Sequence, residues 1–241
     1  MQAYTNAVSD QLIVSVLPNQ TVFQVWNKEG NLKWTASQDT QELPADLQNA
    51  IFSTNKLVHI GNAMTLAPLD AQNLQDYYNI NHASVADLAH LPTDEFNVVF
   101  AKDSSTQSLS KQLVGTEEHI DIELIYQHFK DKYSTDAIFF YCLENQLTLL
   151  AWKDGQFHLA NRFPADNLDE LFYYVMLVVE QLDLSVTTLH FECIAATVEF
   201  TQYAELFQNY LAPLIRHSTS NTIEEDSTQY LVAHFAAQCV L

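Results

Sequence analysis

One stretch of this sequence is written twice. Ser9–Trp26, SDQLIVSVLPNQTVFQVW, lies without gaps over Thr135–Trp152, TDAIFFYCLENQLTLLAW, with Asp10/Asp136, Leu17/Leu143, Asn19/Asn145, Gln20/Gln146 and Trp26/Trp152 identical. In each copy two apolar runs of strand length flank a short polar turn, the pattern of a β-hairpin. Each copy then reaches a Lys-acid-Gly turn, Lys28-Glu29-Gly30 and Lys153-Asp154-Gly155, and a third strand follows. Both meanders lead on to a helix and a fourth strand, so the shared order is βββαβ. Such a chain is expected to form two superposable halves, not one continuous barrel or sandwich.

The second copy is the more sharply specified. Ile138–Leu143 is unbroken apolar, which suits a strand covered on both faces. Asn167 can cap a helix with Glu170 three residues on, and Leu168, Leu171, Phe172, Val175, Val179 and Leu182 follow at helical spacing. The spacing predicts one helix over Leu168–Leu184, apolar all round from Leu171 to Val179 and therefore buried on more than one side. A strand at Thr188–Cys193, a helix from about Glu199 to Tyr210, a strand at Leu214–His217, a polar loop STSNTIEEDST and an amphipathic segment YLVAHFAAQCVL come next.

In the first half, Leu12–Leu17, Thr21–Trp26 and Asn31–Ser37 read as strands. Leu43-Pro44 starts a predicted helix to about Ser53, with Pro44 in its first turn, and Lys56–Ile60 is a short strand. The pattern weakens from Gly61 to Leu91, where Leu74–Tyr78 suits a short helix and His82–Asp87 a loop. Asp94–Phe100 restores a strand, KDSSTQSLSKQ reads as a connector, and Glu117–Tyr133 as an amphipathic helix. The expected halves are residues 1–115 and 116–241.

With 241 residues and 48% hydrophobic side chains the chain can build real cores. Ten Lys+Arg against thirty Asp+Glu give a formal charge of −20, which repels phosphate backbones and anionic membrane surfaces. Nucleic acid is therefore not an expected partner. No apolar run is long enough for a membrane span, and MQAYTNAVSDQ lacks the basic and apolar regions of a signal peptide, so membrane insertion is not expected and the cytoplasm is the expected location. Only four glycines occur, at 30, 61, 115 and 155, and phosphate-cradling loops need clustered glycine. No cofactor and no nucleotide are expected. Cys142, Cys193 and Cys239 lie far apart and read as thiols, the first two within apolar strands, without metal-binding spacing.

Two βββαβα halves, each a mixed sheet with helices against it, resemble the actin-like ATPase architecture shared by sugar kinases, heat-shock chaperones, actin and the cell-division and pilus-assembly proteins built like it. The fold class implied is mixed α/β (α+β), with duplicated RNase H-like βββαβα halves. The stretch DELFYYVMLVVEQLDLS with the strand and helix after it is similar to a family of uncharacterised Bacteroidetes proteins that carry this fold. In active members each first hairpin is a phosphate loop of the form Asp-x-Gly. The matching turns here are Leu17-Pro18-Asn19-Gln20 and Leu143-Glu144-Asn145-Gln146, and neither contains Gly or Asp. Pro18 also has no N–H to offer an oxyanion.

The resemblance implies that these turns face each other across an interdomain cleft. That makes Asn19, Gln20, Glu144, Asn145 and Gln146 the candidate site residues, with no catalytic residue or metal ligand among them. Glu144 would repel a triphosphate there, at a cost on the order of 4 kcal/mol for like charges about 4 Å apart at an effective dielectric of about 20. The related nucleases hold metal with carboxylates on the first strand, but Leu12–Leu17 and Ile138–Leu143 contain none, and Asp10 and Asp136 read as residues that open those strands. His119 and Glu123 would share a solvated helix face. His190 and Glu192 share one face of a strand, with His59 on the corresponding strand of the first half, and read as polar groups satisfied by neighbours. The expected function is a non-catalytic cytoplasmic module that binds or scaffolds another protein, as pilus-assembly relatives hold a partner's peptide. The alternative is a diverged nucleotide-binding ATPase or kinase-like enzyme using the interdomain cleft.

Overall fold

The structure is a computed structural model that describes residues 8–40, 42–83, 87–102, 106–113, 115–217 and 228–238. The polar stretch 218–227, Cys239 and residues 84–86 of the predicted loop lie outside the described residues. The chain divides into two compact units, Met1–Ile125 with Val232–Leu241, and Tyr126–Leu231.

In the first unit, β1 (Gln11–Val16), β2 (Thr21–Trp26) and β3 (Leu32–Gln38) form an antiparallel meander, and β4 (Thr54–His59) returns parallel to β1. Between β3 and β4 the predicted helix shrinks to a single 3-10 turn, Ala45–Leu47. Only Leu47 of that turn is buried, too little burial to offset the cost of nucleating a longer helix. Next, β5 (Met64–Pro68), α1 (Leu74–Asn81), β6 (Leu88–Pro92) and β7 (Phe96–Ala101) build a separate antiparallel sheet of order β5-β7-β6. The polar run after it, expected as a connector, contains α2 (Thr106–Gln112), whose Leu109 is buried.

The sequence reading of one helix over Glu117–Tyr133 is corrected by the structure. The segment is β8 (Thr116–Ile120), paired parallel with β4, followed directly by α3 (Asp121–Phe129). Glu117 and Glu118 favour helix locally, but pairing with β4 and the ion pair of Glu118 with Lys102 override that preference. The first main sheet thus has order β3-β2-β1-β4-β8.

The second unit repeats that order. β9 (Ala137–Leu143), β10 (Gln146–Lys153) and β11 (Gln156–Pro164) form the meander; α4 (Leu168–Gln181), β12 (His190–Ile194), α5 (Thr197–Phe207) and β13 (Ile215–His217) follow, giving β11-β10-β9-β12-β13. The directions match too, since β12 is parallel to both β9 and β13. Even the irregularity recurs: a register shift falls between Val25 and Trp26 in one sheet and between Ala151 and Trp152 in the other.

Turn chemistry sets the strand ends. Asp154 and Gly155 both take left-handed conformations, φ 51° and 75°, as a two-residue mirror-type hairpin turn requires. A Cβ on Gly155 would also meet the backbone of Ser134 and the carbonyl of Tyr133 at 3.2 Å. The first unit uses a longer turn, in which Asn27 Oδ1 accepts from the N–H groups of Glu29 and Asn31 and Gly30 supplies φ 78°.

Asn167 caps α4, its Oδ1 accepting from Glu170 N at 3.0 Å. Leu171, Val175, Val178 and Val179 are buried against the sheet, in a core with Phe140, Leu149 and Phe191. Burial is on one face, however, because Tyr173 is 58% exposed. The helix ends at Gln181, short of the predicted Leu184, in a paired closure: Asp183 N donates to Glu180 O and Leu184 N to Val179 O, with Asp183 at φ 51°.

The chain's last described helix, α6 (Thr228–Gln238), belongs to the first unit. One face of the first sheet is apolar, Leu12, Val14, Phe23, Val25 and Leu57 packing with Leu109 and Leu113. The opposite face, which carries Ser15, Gln24, Trp26 and Lys56, meets α6: Lys56 Nζ donates to Ala236 O at 2.8 Å, and Trp26 lies 5.4 Å from His234. Val232, Ala233, Phe235 and Ala236 are buried there. No helix among the described residues is long and apolar enough to cross a membrane.

Candidate functional site

The five candidate residues stand at the first hairpin of each unit. Asn19 and Gln20 close the β1–β2 turn, where Leu17 N donates to Gln20 O at 2.9 Å and Gln20 Oε1 accepts from Ser37 Oγ at 2.8 Å. Glu144, Asn145 and Gln146 close the β9–β10 turn, where Gln146 pairs with Leu143 and Asn145 O accepts from Ala165 N. Pro18, Asn19, Glu144 and Asn145 are exposed. The two turns differ in hand. Glu144 takes φ 54°, a left-handed conformation that glycine adopts at no cost, whereas the ring of Pro18 at the matching position fixes φ near −65°.

Asp10 and Asp136 open the first strands and are engaged in holding the meanders. Asp10, buried, pairs with Lys33 at 2.8 Å, and its carbonyl accepts from Ser53 N. Asp136 accepts through its two carboxylate oxygens from Asp154 N and Ser185 N, tying the β10–β11 turn to the segment after α4.

In the second unit a cluster of titratable groups surrounds Glu192. Alternation along β12 puts Glu192 on the face shared with Phe139, where it is buried and accepts from Lys132 Nζ at 3.0 Å and from His217 Nε2. Burial pushes its carboxyl up, but the hydrogen bonds and charges of His217 and Lys132 outweigh this and hold the pKa at about 2. Burial and then the Glu192 charge push the neighbouring Tyr133 phenol up. His190, the other residue of the predicted pair, packs against Tyr133 at 5.8 Å. Lys132 and His217 were missed by the sequence reading because they arrive from other elements; the alternation of His190 and Glu192 was the available signal.

The predicted solvated pairing of His119 and Glu123 is corrected. His119 lies next to the end of β8 and Glu123 in the first turn of α3; both are buried, with Nδ1 and Oε2 3.1 Å apart. Asp121 between them accepts from Ile122 N and Gly61 N, pinning the start of α3 to the end of β4. His59 is buried 4.0 Å from Glu118, which pairs with Lys102. No group of three or more His, Cys, Asp or Glu side chains suited to a metal ion occurs among the described residues. Cys142 and Cys193 are free thiols, pushed up by burial to about 11 and about 12. The carboxylates of Asp10, Asp121, Glu123, Asp136 and Glu192 are thus each engaged by a neighbouring donor or cation.

A family profile described as "Protein of unknown function (DUF3822)" matches residues 3–214. No curated protein matches the sequence. Among solved structures, a Bacteroides thetaiotaomicron protein with actin-like ATPase fold and unknown function superposes with a TM-score of 0.78 at 12% identity, covering 97% of each chain. The ethanolamine utilization protein EutJ from Carboxydothermus hydrogenoformans gives 0.49 at 9% identity, covering 89% of this chain and 86% of its own. A chain of the PilM–PilN type IV pilus biogenesis complex gives 0.48 at 11%, covering 88% and 89%. The fold here is that of the actin-like ATPases.

Proposed function

Since the chain belongs to the DUF3822 family of proteins of unknown function and has the actin-like ATPase fold, we propose that it is a non-catalytic member of that fold which works in the cytoplasm by binding or scaffolding another protein. The observation that carries the reading is the composition of the two first hairpins. Where active members of the fold place Asp-x-Gly phosphate loops, this chain has Pro18-Asn19 and Glu144-Asn145. A backbone cradle for phosphate needs N–H groups brought close by glycine, and Pro18 supplies none. Glu144 adds a charge of the same sign as the ligand.

Purified protein is expected to show no ATP hydrolysis above background, no ATP-dependent calorimetric heat and no thermal shift with Mg-ATP. A ligand present at about one hundred times its Kd would stabilise by about 2.7 kcal/mol, well within reach of a melting experiment. Saturable ATP binding that Glu144→Gln abolishes would replace this reading with a diverged ATPase or kinase-like enzyme. The partner of an acidic module should be held through basic surface, so a pull-down performed at low and high salt should lose it at high salt.

A further inference from the structure

The second unit carries an apolar groove beside α5. Phe200, Ala204, Phe207, Leu211 and Leu214 line this groove of about 450 Å³, with Glu205 and Gln208 among its polar lining residues. Exposed apolar side chains lie on the same segments: Val198 is 71% exposed, Tyr210 55% and Ile215 49%. Exposed carboxylates lie on α5 itself, at Glu199 and Glu205, while Glu192 is taken up by Lys132 and His217 and Arg216 bonds the carbonyl of Ala195. From Phe163 to Ile215 there is no lysine or arginine and there are eight carboxylates, and α4 and α5 both fall within that span.

We propose that this groove docks a short basic amphipathic segment of a partner protein, apolar residues seated on Phe200, Ala204 and Leu214 and Lys or Arg facing Glu205. The assignment rests on the protein-binding reading above and gives it a surface and a ligand chemistry. Apolar lining supplies the attraction and the exposed carboxylates of α5, Glu199 and Glu205, select cationic flanks, the pattern of helix-in-groove recognition. A second copy of this chain is a poor occupant, since each copy carries a formal charge of −20. Anionic membrane is repelled for the same reason.

The test uses the full chain and a fluorescein-labelled synthetic helix of about 16 residues with leucine on one face and lysine on the other, read by anisotropy. Saturable binding is expected, weakened at least about tenfold by Ala204→Glu, weakened less by the exposed charge reversal Glu205→Lys, and reduced by high salt. Melting curves of both variants establish that they are folded. The proposal is overturned if the helix fails to bind, if a glutamate-faced version binds equally well, if both variants bind like wild type, or if sedimentation shows a dimer that Ala204→Glu dissociates. A photo-crosslinker at Thr201, compared with one at Tyr77 in the first unit, separates the two readings: a protein adduct at Tyr77 and none at Thr201 overturns the groove and leaves protein binding standing.

Discussion

Trp26 and Trp152 occupy the same place in two sheets of identical strand order, each immediately past the register shift that bends its second strand. Both are buried, and among the described residues no hydrogen-bond acceptor reaches either indole N–H. Trp152 packs against Tyr133 at 5.0 Å and Phe157 at 5.5 Å, so its bulk is what the core uses. Trp152→Ala is expected to cost about 3–5 kcal/mol in urea unfolding. Trp152→Phe should cost less than about half of that, because the N–H it removes has no acceptor among the described residues.

Asp183 sits where helices that close in this way usually carry glycine. Its side chain is fully exposed and 3.9 Å from Lys153, a contact of little worth in water. Asp183→Gly should therefore stabilise by about 0.5–1 kcal/mol, relief of the left-handed strain outweighing the added freedom of the unfolded chain. A melting temperature equal to or below wild type would contradict this.

Val175 is completely buried at the centre of the α4 contact. Val175→Asp should leave the protein insoluble or unfolded, since an unpaired charge in a core is costly. Circular dichroism of any soluble fraction checks it, and a native spectrum would mean that the helix does not pack as described.

Glu192 gives the fold an acid-sensitive contact. Its folded pKa of about 2 lies below the ordinary value of about 4.3, so the stability it contributes is present above about pH 4.3 and is lost as pH falls toward 2. Glu192→Gln should flatten stability against pH in that window, while lowering stability at neutral pH by replacing the carboxylate that Lys132 and His217 share with a neutral amide, which offers one acceptor oxygen and adds a donor. Denaturant melts at several pH values resolve the two effects.

The thiols act in the opposite direction. Burial raises Cys142 to about 11 and Cys193 to about 12, so their contribution is complete below the ordinary thiol range near 8.5 and falls as pH rises through the folded values. Native protein should alkylate slowly at these two positions at pH 8, and peptide mapping after a timed iodoacetamide pulse measures it.

The meanders were legible because apolar runs of strand length, an Asp-Gly turn and an Asn-x-x-Glu cap state their geometry locally. β8 was not, because Thr116-Glu-Glu-His-Ile120 has helix-forming composition and becomes a strand only by pairing with β4. β6 was hidden likewise, its His90 and Pro92 being strand-poor residues held by β7. At the candidate site the composition of the turns could be read directly. The environment of Glu192 could not, since Lys132, Glu192 and His217 are brought together only when the turn after α3, β12 and β13 assemble.

The return of α6 to the first sheet has a consequence for biosynthesis. Residues 126–231 are contiguous, whereas the first unit needs Val232, Ala233, Phe235 and Ala236 to cover Trp26 and Lys56. On the ribosome the unit translated second has all its residues first, and the unit that starts the chain waits with one sheet face bare until α6 emerges. A nascent chain released before α6 would present Ser15, Gln24 and Trp26 to the quality-control machinery, so proteolysis of stalled intermediates should cut preferentially in the N-terminal part and spare 126–231.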